Sequence, residues 1–339
     1  MGLIGTVINL LNWVAALLLL LAYLVPFVPP SRFPTLSLLS LAVSPLILIN
    51  ALFCLYWVFR MSRRVWLSAT VLALGFALFG SLYQFGAGQP VNTHPRELTI
   101  MSYNVRLFNA YEDGAAMRED AEAQFRELVE RHQPDVLCVQ EFYKDSEFPK
   151  SIYPYQYIHR TGNRALGHAI LSRLPIVGTG SFDFPDTYNN AIYADLVLGL
   201  DTLRVYNLHL QSMGIEPTVD YLQTHDNERT RRQISNAFVR QQHQLEKVVE
   251  HMDVSPYPFA VGADLNNTPF SYVYRQLNGR LTDAFRERGK GLGTTFRFEF
   301  YPIRIDFIFA SPGMDVMDLR TIPETFSDHN PVMARLNLP

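Results

Sequence analysis

Charged side chains are nearly absent from the first part of this 339-residue chain. No Asp or Glu occurs before Glu97. The basic residues before position 96 are Arg32, Arg60, Arg63 and Arg64. A soluble domain carries charge over its surface, so this scarcity argues against a soluble fold here. The rest, 96–339, holds 25 of the 29 basic residues and all 32 acidic ones, which gives a net charge of −7 and indicates a soluble domain.

Three apolar runs without charge fill the first part of the chain, at 3–25, 36–59 and 65–85. Each has the roughly 20 residues that a helix needs to cross a bilayer core. The sequence therefore predicts a membrane domain at 1–88 with three transmembrane helices. A signal peptide explains the first run poorly, because no basic residue precedes it and two more runs follow. A buried helical bundle of a soluble protein is the other interpretation, and three such runs disfavour it.

The arginines predict how these helices are oriented. Short loops rich in Lys and Arg stay in the cytoplasm. Three arginines lie in the loop at 60–64, whereas the loop before the second run has only Arg32. The third helix then runs outward. We therefore expect a multi-pass protein of the cytoplasmic (inner) membrane, with an extracytoplasmic soluble domain.

Cysteine is scarce as well, with Cys54 and Cys138 as the two in the chain. Cys54 falls within a predicted membrane helix and Cys138 within a predicted buried strand, so a disulfide between them is not expected. A domain of this size buries enough core without one. The sequence also lacks paired cysteines and an H-E-x-x-H stretch, and this disfavours zinc.

The second half alternates short β-rich runs with helical patterns. A linker is predicted at 89–96 and a second domain at 97–339. Strands are predicted at 98–105, 135–141, 169–172, 203–210, 258–264, 304–309 and 332–336, with amphipathic helices at 119–132 and 227–252. Many short strands with a few helices indicate an α/β fold in which helices cover sheets.

Polar residues that can bind metals or move protons come at the ends of these strands. In chain order they are Asn104, Glu141, His209, Asp264, Asn266, Asp306, Asp328 and His329. If the last two strands run antiparallel to the others, all these positions meet at one sheet edge. Loops at such an edge commonly carry function.

Most of these residues, taken alone, have an ordinary structural explanation. Glu141 can be a solvated strand end, and Asn104 can cap a turn. Asp306 is different, because it lies in "RIDFIF", whose apolar residues favour burial. A buried carboxylate without a partner costs several kcal/mol, so Asp306 should have one. His329 is the natural candidate.

Seven short motifs follow one another along this half, and all but "HAILSRLPI" contain these residues. They are "SYNV", "DVLCVQE", "HAILSRLPI", "NLHL", "GADLN", "RIDFIF" and "SDHNPV". In this order they resemble the motifs of the endonuclease/exonuclease/phosphatase superfamily, the group that includes DNase I. The resemblance runs from about Leu98 to Leu336. It implies a four-layered α/β sandwich (DNase I-like) that is preceded here by the three transmembrane helices, with 97–339 as the catalytic domain.

The resemblance implies a metal site. Glu141 is similar to the family's principal metal ligand, and Asn104 to its neighbour. Asp328 stands where some members supply another metal contact. Carboxylate and amide oxygens are the ligands that Mg²⁺ prefers, so Mg²⁺ is the expected cofactor and Mn²⁺ the alternative.

Catalytic roles are implied in the same way. Asp264 and Asn266 match the family's Asp-x-Asn pair beside the scissile phosphate, and His209 matches a histidine that contacts a phosphate oxygen. His329 matches the catalytic histidine, and Asp306 the acid that orients it. A histidine held in one tautomer by an acid can accept a proton from attacking water. Whether His329 or Asp264 takes that proton stays open.

These features predict a membrane-anchored, metal-dependent phosphohydrolase, either a phosphodiesterase or a phosphatase. The chain also resembles VanJ-type teicoplanin-resistance proteins, which join a few N-terminal spans to an external domain of this fold. That likeness implies a lipid-linked phosphate as substrate and the bilayer as partner, with no obligate protein partner evident. A magnesium-dependent endonuclease or exonuclease acting on external DNA or RNA is the alternative, although a net charge of −7 disfavours it. A non-enzymatic scaffold would not need the complete set of site residues.

Overall fold

A computed structural model describes most of the chain. The described residues are 3–80, 82–86, 96–111, 115–143, 146, 148–160, 166–215, 218, 224, 226–298, 301–323 and 326–338. The predicted linker at 89–96 falls, except for Arg96, outside the described residues.

Three antiparallel helices form the N-terminal bundle. They are α1 (Leu3–Leu24), α2 (Leu39–Phe59) and α3 (Val65–Phe79). The first two belong to apolar segments of 25 and 24 residues, long enough to cross a bilayer. At 15 residues, α3 spans about 22 Å and is shorter than the predicted third span.

The third helix ends early because of Gly80. This residue has a φ of 75°, in the left-handed region that glycine adopts readily, and it stops the helix at Phe79. Further on, strand β1 (Gln84–Phe85) pairs with β11 (Lys290–Gly291) of the second domain. The sequence prediction extended the helix to residue 85 because the run stays apolar, but its end belongs to a sheet.

Polar side chains join the three helices in their interior. The hydroxyl of Ser68 donates to Oδ1 of Asn12 at 2.6 Å and contacts Oδ1 of Asn50 at 3.2 Å. Nδ2 of Asn50 donates to the carbonyl of Ala15 at 3.2 Å. Buried amides and hydroxyls hold helices together in an apolar surrounding.

Two six-stranded sheets form the centre of the second domain. Sheet I has the order β15-β16-β2-β3-β5-β4, and sheet II the order β10-β14-β9-β8-β7-β6. The strands of sheet I are β2 (Glu97–Asn104), β3 (Val136–Tyr143), β4 (Tyr155–Arg160), β5 (Leu166–Ser172), β15 (Asp315–Thr321) and β16 (Val332–Asn337). Those of sheet II are β6 (Ile176–Ser181), β7 (Ala191–Leu198), β8 (Asp201–His209), β9 (Phe259–Asp264), β10 (Thr282–Asp283) and β14 (Asp306–Ala310). A hairpin, β12 (Phe296–Phe298) and β13 (Tyr301–Ile303), lies outside both sheets.

Helices cover the outer face of each sheet. They are α4 (Ala115–His132), α5 (Asn227–Asp253) and α6 (Tyr272–Asn278), whereas Ala284 and Phe285 of α7 (Ala284–Arg288) pack into the core between the two sheets. The predicted amphipathic helices correspond to α4 and α5. Asp226 begins α5 by accepting hydrogen bonds from the backbone N–H groups of Glu228 and Arg229.

Three apolar cores separate four layers. Ile100, Cys138 and Ile308 belong to the core between the two sheets. Another core includes Phe125 of α4 and sheet I, and a third joins α5 and α6 to sheet II. Gly262 allows the sheets to approach closely, because a side-chain carbon there would lie 2.9 Å from Cβ of Cys138. This is the predicted four-layered α/β sandwich.

Candidate active site

The strand directions bring the polar strand ends to one edge. Strands β2 and β3 are parallel, as are β8 and β9, so the carboxyl ends of each pair lie together. Strand β14 is antiparallel to β9 and places Asp306 directly opposite Asp264. Strand β16 is antiparallel to β2, and His329 precedes it. The predicted antiparallel course of the last two strands is therefore observed.

His329 lies between two buried carboxylates. Its Nδ1 is 3.0 Å from both oxygens of Asp306, and its Nε2 is 3.9 Å from Oδ2 of Asp264. Burial alone would lower the pKa of His329, but Asp306 and Asp264 together raise it to about 10. Burial raises the pKa of Asp264 to about 7. The partner expected for Asp306 from the sequence is thus His329.

Neighbouring residues hold Asp306 and His329 in place through hydrogen bonds and a ring contact. The hydroxyl of Ser327 accepts from the backbone N–H of His329 at 3.1 Å and donates to the carbonyl of Asn104 at 2.9 Å. The hydroxyl of Thr295 accepts from the N–H of Asp306 at 3.0 Å. The ring of Phe296 packs against the imidazole with centroids 4.8 Å apart. Sequence reasoning missed Ser327, Thr295 and Phe296, although Ser327 lies in a quoted motif.

Glu141 reaches the site through an irregularity in β3. The register with β5 shifts between Val139 and Phe142, and Glu141 has a φ of 53°. Such a bulge turns a side chain away from the regular alternation, and a left-handed non-glycine residue is strained. Burial raises the pKa of Glu141. The sequence placed Glu141 at a strand end but did not show the bulge.

Asn104 bridges the carboxylates. Its Nδ2 lies 3.2 Å from Oε1 of Glu141 and 3.0 Å from Oδ2 of Asp264, while its Oδ1 accepts from the N–H of Arg106. The amide therefore presents a donor to the two acids. Binding a cation through Oδ1 would require the amide to turn over.

Asp328 lies at the outer margin of the cluster. Its side chain is 26% exposed, and its Oδ2 is 3.7 Å from Nε of Arg106. Burial raises the pKa of Glu141, and the negative charge of Asp328 raises it further. Asp328 is therefore near Glu141, as the sequence predicts.

His209 is held in one tautomer by a residue that the sequence did not reveal. Oδ1 of Asn189 accepts from the N–H of Ser212 and the hydroxyl of Thr187, which orients its amide. Its Nδ2 then donates to Nε2 of His209 at 2.9 Å, and this leaves the imidazole proton on Nδ1. Burial lowers the pKa of His209 well below its ordinary value, so the ring is neutral. In the sequence, the signal that could have predicted this contact was the pair Asn189 and Asn190, directly before β7.

Asn266 lies just beyond β9 with a φ of 49°. Its backbone N–H donates to Oδ1 of Asp264 at 2.8 Å, and its Nδ2 donates to the carbonyl of Leu210 at 2.9 Å. One amide hydrogen is thus used within the loop. The residue adjoins the cluster, as expected, and supports Asp264 through its backbone.

The carboxylate oxygens that lie together at this edge suit a hard divalent cation. Nε2 of His209 lies 3.6 Å from Oε1 of Glu141 and 3.6 Å from Oδ2 of Asp264, so acceptor atoms collect there. Asp264, Asp306 and His329 also offer atoms within 4.8 Å of one another. Because the hydrogen bond between Asp306 and His329 satisfies both groups, a cation fits better on the side of Glu141 and Asp264.

The same motifs and geometry are those of a known family. The family model of the Endonuclease/Exonuclease/phosphatase family matches residues 101–329, more than half of the chain. The chain belongs to this family. It is therefore a phosphoric ester hydrolase of a group whose members generally use divalent metals. A model of a domain of unknown function (DUF8431) matches residues 5–82. None of the curated proteins compared with the chain matches it.

Solved structures share the fold at low sequence identity. An endonuclease/exonuclease/phosphatase from Beutenbergia cavernae is 20% identical, with a TM-score of 0.51 and 72% of each chain covered. A mannosyl-6-phosphatase from Bacteroides thetaiotaomicron is 21% identical, with a TM-score of 0.51, 70% of this chain covered and 99% of the other. The catalytic domain of human Nocturnin with bound sulfate is 16% identical, with a TM-score of 0.51 and coverage of 75% and 100%. These likenesses establish the DNase I-like fold.

Proposed function

We propose that this family member is a membrane-anchored, metal-dependent phosphohydrolase that acts outside the cytoplasm on a lipid-linked phosphate ester. The observation that carries the proposal is the placement of the site edge against a helix bundle whose outer surface is apolar. Leu10 and Leu17 of α1, Leu52 of α2 and Phe76 of α3 are each more than half exposed. A bilayer would cover such surfaces.

The orientation of the bundle supports an external catalytic domain. The first turns of α2 contact the catalytic domain, and the helix then runs 21 residues, about 30 Å, to Phe59. The loop with Arg60, Arg63 and Arg64 therefore lies at the end of the bundle far from the catalytic domain. Loops of this kind stay in the cytoplasm, which leaves the catalytic domain outside.

The chemistry follows from the residues at the edge. Glu141, Asn104 and Asp328 would hold a divalent cation, Mg²⁺ or Mn²⁺, which supplies charge neutralisation at the phosphate. Asp306 orients the imidazole of His329 beside Asp264. Asp264, or His329 in its neutral form, then accepts the proton of the attacking water.

Two further residues serve the phosphate itself. His209, which becomes a donor once its proton lies on Nε2, and the amide of Asn266 adjoin the carboxylate cluster from the sheet II side. Donors fixed in this way favour charge that develops on phosphate oxygens. Removing either donor would weaken catalysis without removing the cation site.

A direct test uses the full chain in detergent or liposomes, with Mg²⁺ or with EDTA. The substrates are a polyprenyl pyrophosphate, bis-p-nitrophenyl phosphate and a DNA duplex. We expect metal-dependent release of phosphate from the lipid substrate, lost in Glu141→Ala and His329→Ala. Efficient cleavage of DNA, with the lipid left intact, would instead establish the nuclease. No hydrolysis of any ester by well-folded protein would refute the proposed function.

A further inference from the structure

The amino end of α2 is bonded to the loop that follows Asp264. The hydroxyl of Ser40 donates to Oδ1 of Asn267 at 3.4 Å, and the hydroxyl of Thr268 donates to the carbonyl of Ser40 at 3.1 Å. Ser40 and Asn267 are 1% and 3% exposed, so these bonds are shielded from water. A helix of the N-terminal bundle thus contacts the catalytic domain three residues beyond an acid of the site.

The contact continues into the site. Nδ2 of Asn267 donates to Oε1 of Gln241 at 2.8 Å, and Nε2 of Gln241 donates to the carbonyl of Asn266 at 3.2 Å. Gln241 is fully buried. A chain of hydrogen bonds therefore connects α2 with Asn266, whose backbone N–H binds Asp264. Closed networks of this kind hold a loop in a single conformation.

A second contact reaches the opposite side of the site. The side chain of Ser44, one helical turn after Ser40, comes near the hydroxyl of Tyr301 in β13. Strand β13 pairs with β12, whose Phe296 packs on the imidazole of His329 and forms an isolated β-bridge with that residue. The first two turns of α2 therefore contact both loops that flank Asp264 and His329.

Other bonds of the bundle reach parts of the domain away from these loops. Nη1 of Arg231 donates to the hydroxyl of Thr35 at 2.6 Å, and the backbone N–H of Ser31 donates to Oε1 of Gln242 at 2.9 Å. Both partners are on α5. Contacts of this second kind can anchor the domain without touching the catalytic loops, and they offer a matched control.

From this arrangement we infer that Ser40 is a positioning residue, and that the catalytic site is complete only when its two flanking loops contact the amino end of α2. The inference rests on the proposed function for its substrate. A site held by a transmembrane helix takes its phosphate at the level of the bilayer surface. The substrate class it fits is a phosphate ester on an apolar chain.

Kinetics of the full chain in phosphatidylcholine liposomes test the inference. The variants Ser40→Ala and Thr268→Val each remove one bond between α2 and the loop. We expect kcat to fall about tenfold for both bis-p-nitrophenyl phosphate and a polyprenyl pyrophosphate, because small misplacements of catalytic groups are costly. The KM for the water-soluble ester should change little. Ser40→Thr, which keeps the hydroxyl, should restore kcat.

The control is Thr35→Ala, which removes a bond of the same interface outside the catalytic loops. Its kcat on the soluble ester should equal that of the unmodified chain. If Ser40→Ala and Thr268→Val also leave kcat on the soluble ester unchanged, the helix only anchors the domain and the inference is wrong.

Amide hydrogen exchange gives a readout that needs no substrate. In Ser40→Ala, the amides of 265–268 and 301–303 should exchange several-fold faster than in the unmodified chain or in Thr35→Ala. Unchanged exchange in both segments would overturn the inference. If the chain hydrolyses none of the esters, the proposed function is wrong. The exchange experiment still tests whether Ser40 positions the loops, because it needs no substrate.

Discussion

Asp283 and Arg304 form a buried ion pair, whereas Glu141, Asp264 and Asp306 gather like charges at the edge of the same domain. Nη1 of Arg304 lies 2.9 Å from Oδ2 of Asp283, and the hydroxyl of Tyr274 donates to the same oxygen at 2.6 Å. Every charge of this pair has its counterpart. In the site, acids face each other with one imidazole and one amide between them.

The difference separates two uses of buried charge. Asp195 and Arg204, paired through two bonds of 2.6 and 2.9 Å across β7 and β8, repeat the balanced arrangement. Balanced pairs serve the fold, since removing one partner leaves a buried charge alone. Adjacent acids whose pKa values are raised by burial, as for Glu141 and Asp264, are typical of a site that binds a positive ligand or a proton. Substitutions at the two kinds of position should therefore have opposite effects.

The largest effect is expected for Glu141→Gln. It removes the carboxylate proposed as the principal ligand of the cation while keeping the shape of the side chain. A bound metal contributes several kcal/mol to phosphate transfer, so kcat/KM should fall about 10³-fold. The melting temperature should stay equal or rise, because one of several repelling acids is neutralised. A loss of activity explained by unfolding would break the comparison.

The ion pair should show the reverse pattern in Arg304→Met. Asp283 is then left buried without its counter-charge, which costs about 3–5 kcal/mol. Thermal unfolding should detect a lower melting temperature, with unchanged kcat per folded molecule. Arg320→Met breaks an exposed pair with Asp318 and is the matched control, for which only a small shift is expected. Equal destabilisation by both variants would contradict the assignment.

Metal binding should stabilise the site where the charges are unbalanced. At Mg²⁺ concentrations 100 times the dissociation constant, the free energy of unfolding should rise by about 2.7 kcal/mol. Melting curves with and without Mg²⁺ measure this gain. Glu141→Gln should lose most of it and Arg304→Met should retain it. A gain of the same size in Glu141→Gln would place the cation elsewhere.

The smallest effect is expected for a substitution among the buried polar residues of the bundle, Asn12, Asn50 and Ser68. Asn50→Leu removes the bonds to Ala15 and Ser68, and hydrogen bonds between membrane helices are worth about 0.6–2 kcal/mol. Unfolding of the chain in detergent should show a small loss of stability and no change in kcat. Leu52→Ile, on the exposed side of the same helix, should leave stability unchanged. A large loss for Asn50→Leu would show that the bundle limits the stability of the whole chain.

Much of the site could be predicted because strand ends are local signals. "RIDFIF" placed an acid among apolar residues, which predicted a partner for Asp306, and His329 was the natural candidate. The alternation of β runs and helical patterns predicted the α/β layers, with α4 and α5 close to their observed bounds. Strands β4, β6, β7 and β15 were not predicted, since their runs are mixed in polarity.

The remaining features depend on contacts between distant parts of the chain. Asn189 approaches His209 only after β7 and β8 have paired. The left-handed turn at Glu141 depends on the bulge against β5. The strand at Gln84–Phe85 forms only by pairing with β11, more than 200 residues later in the sequence. The metal ligand set and the catalytic roles stay predictions, which the variants above will test.

The pairing of β1 with β11 also bears on how the protein can be produced. Phe270 is 3% exposed, and the side chains covering it belong to the bundle, with Phe79 at a ring distance of 5.5 Å. A fragment that starts at Arg96 would uncover this ring and would remove the strand paired with Lys290 and Gly291. Such a truncated product would carry a fresh apolar patch and an open strand edge, and both promote aggregation. Expression trials should therefore retain the bundle or replace Phe270 with a polar residue.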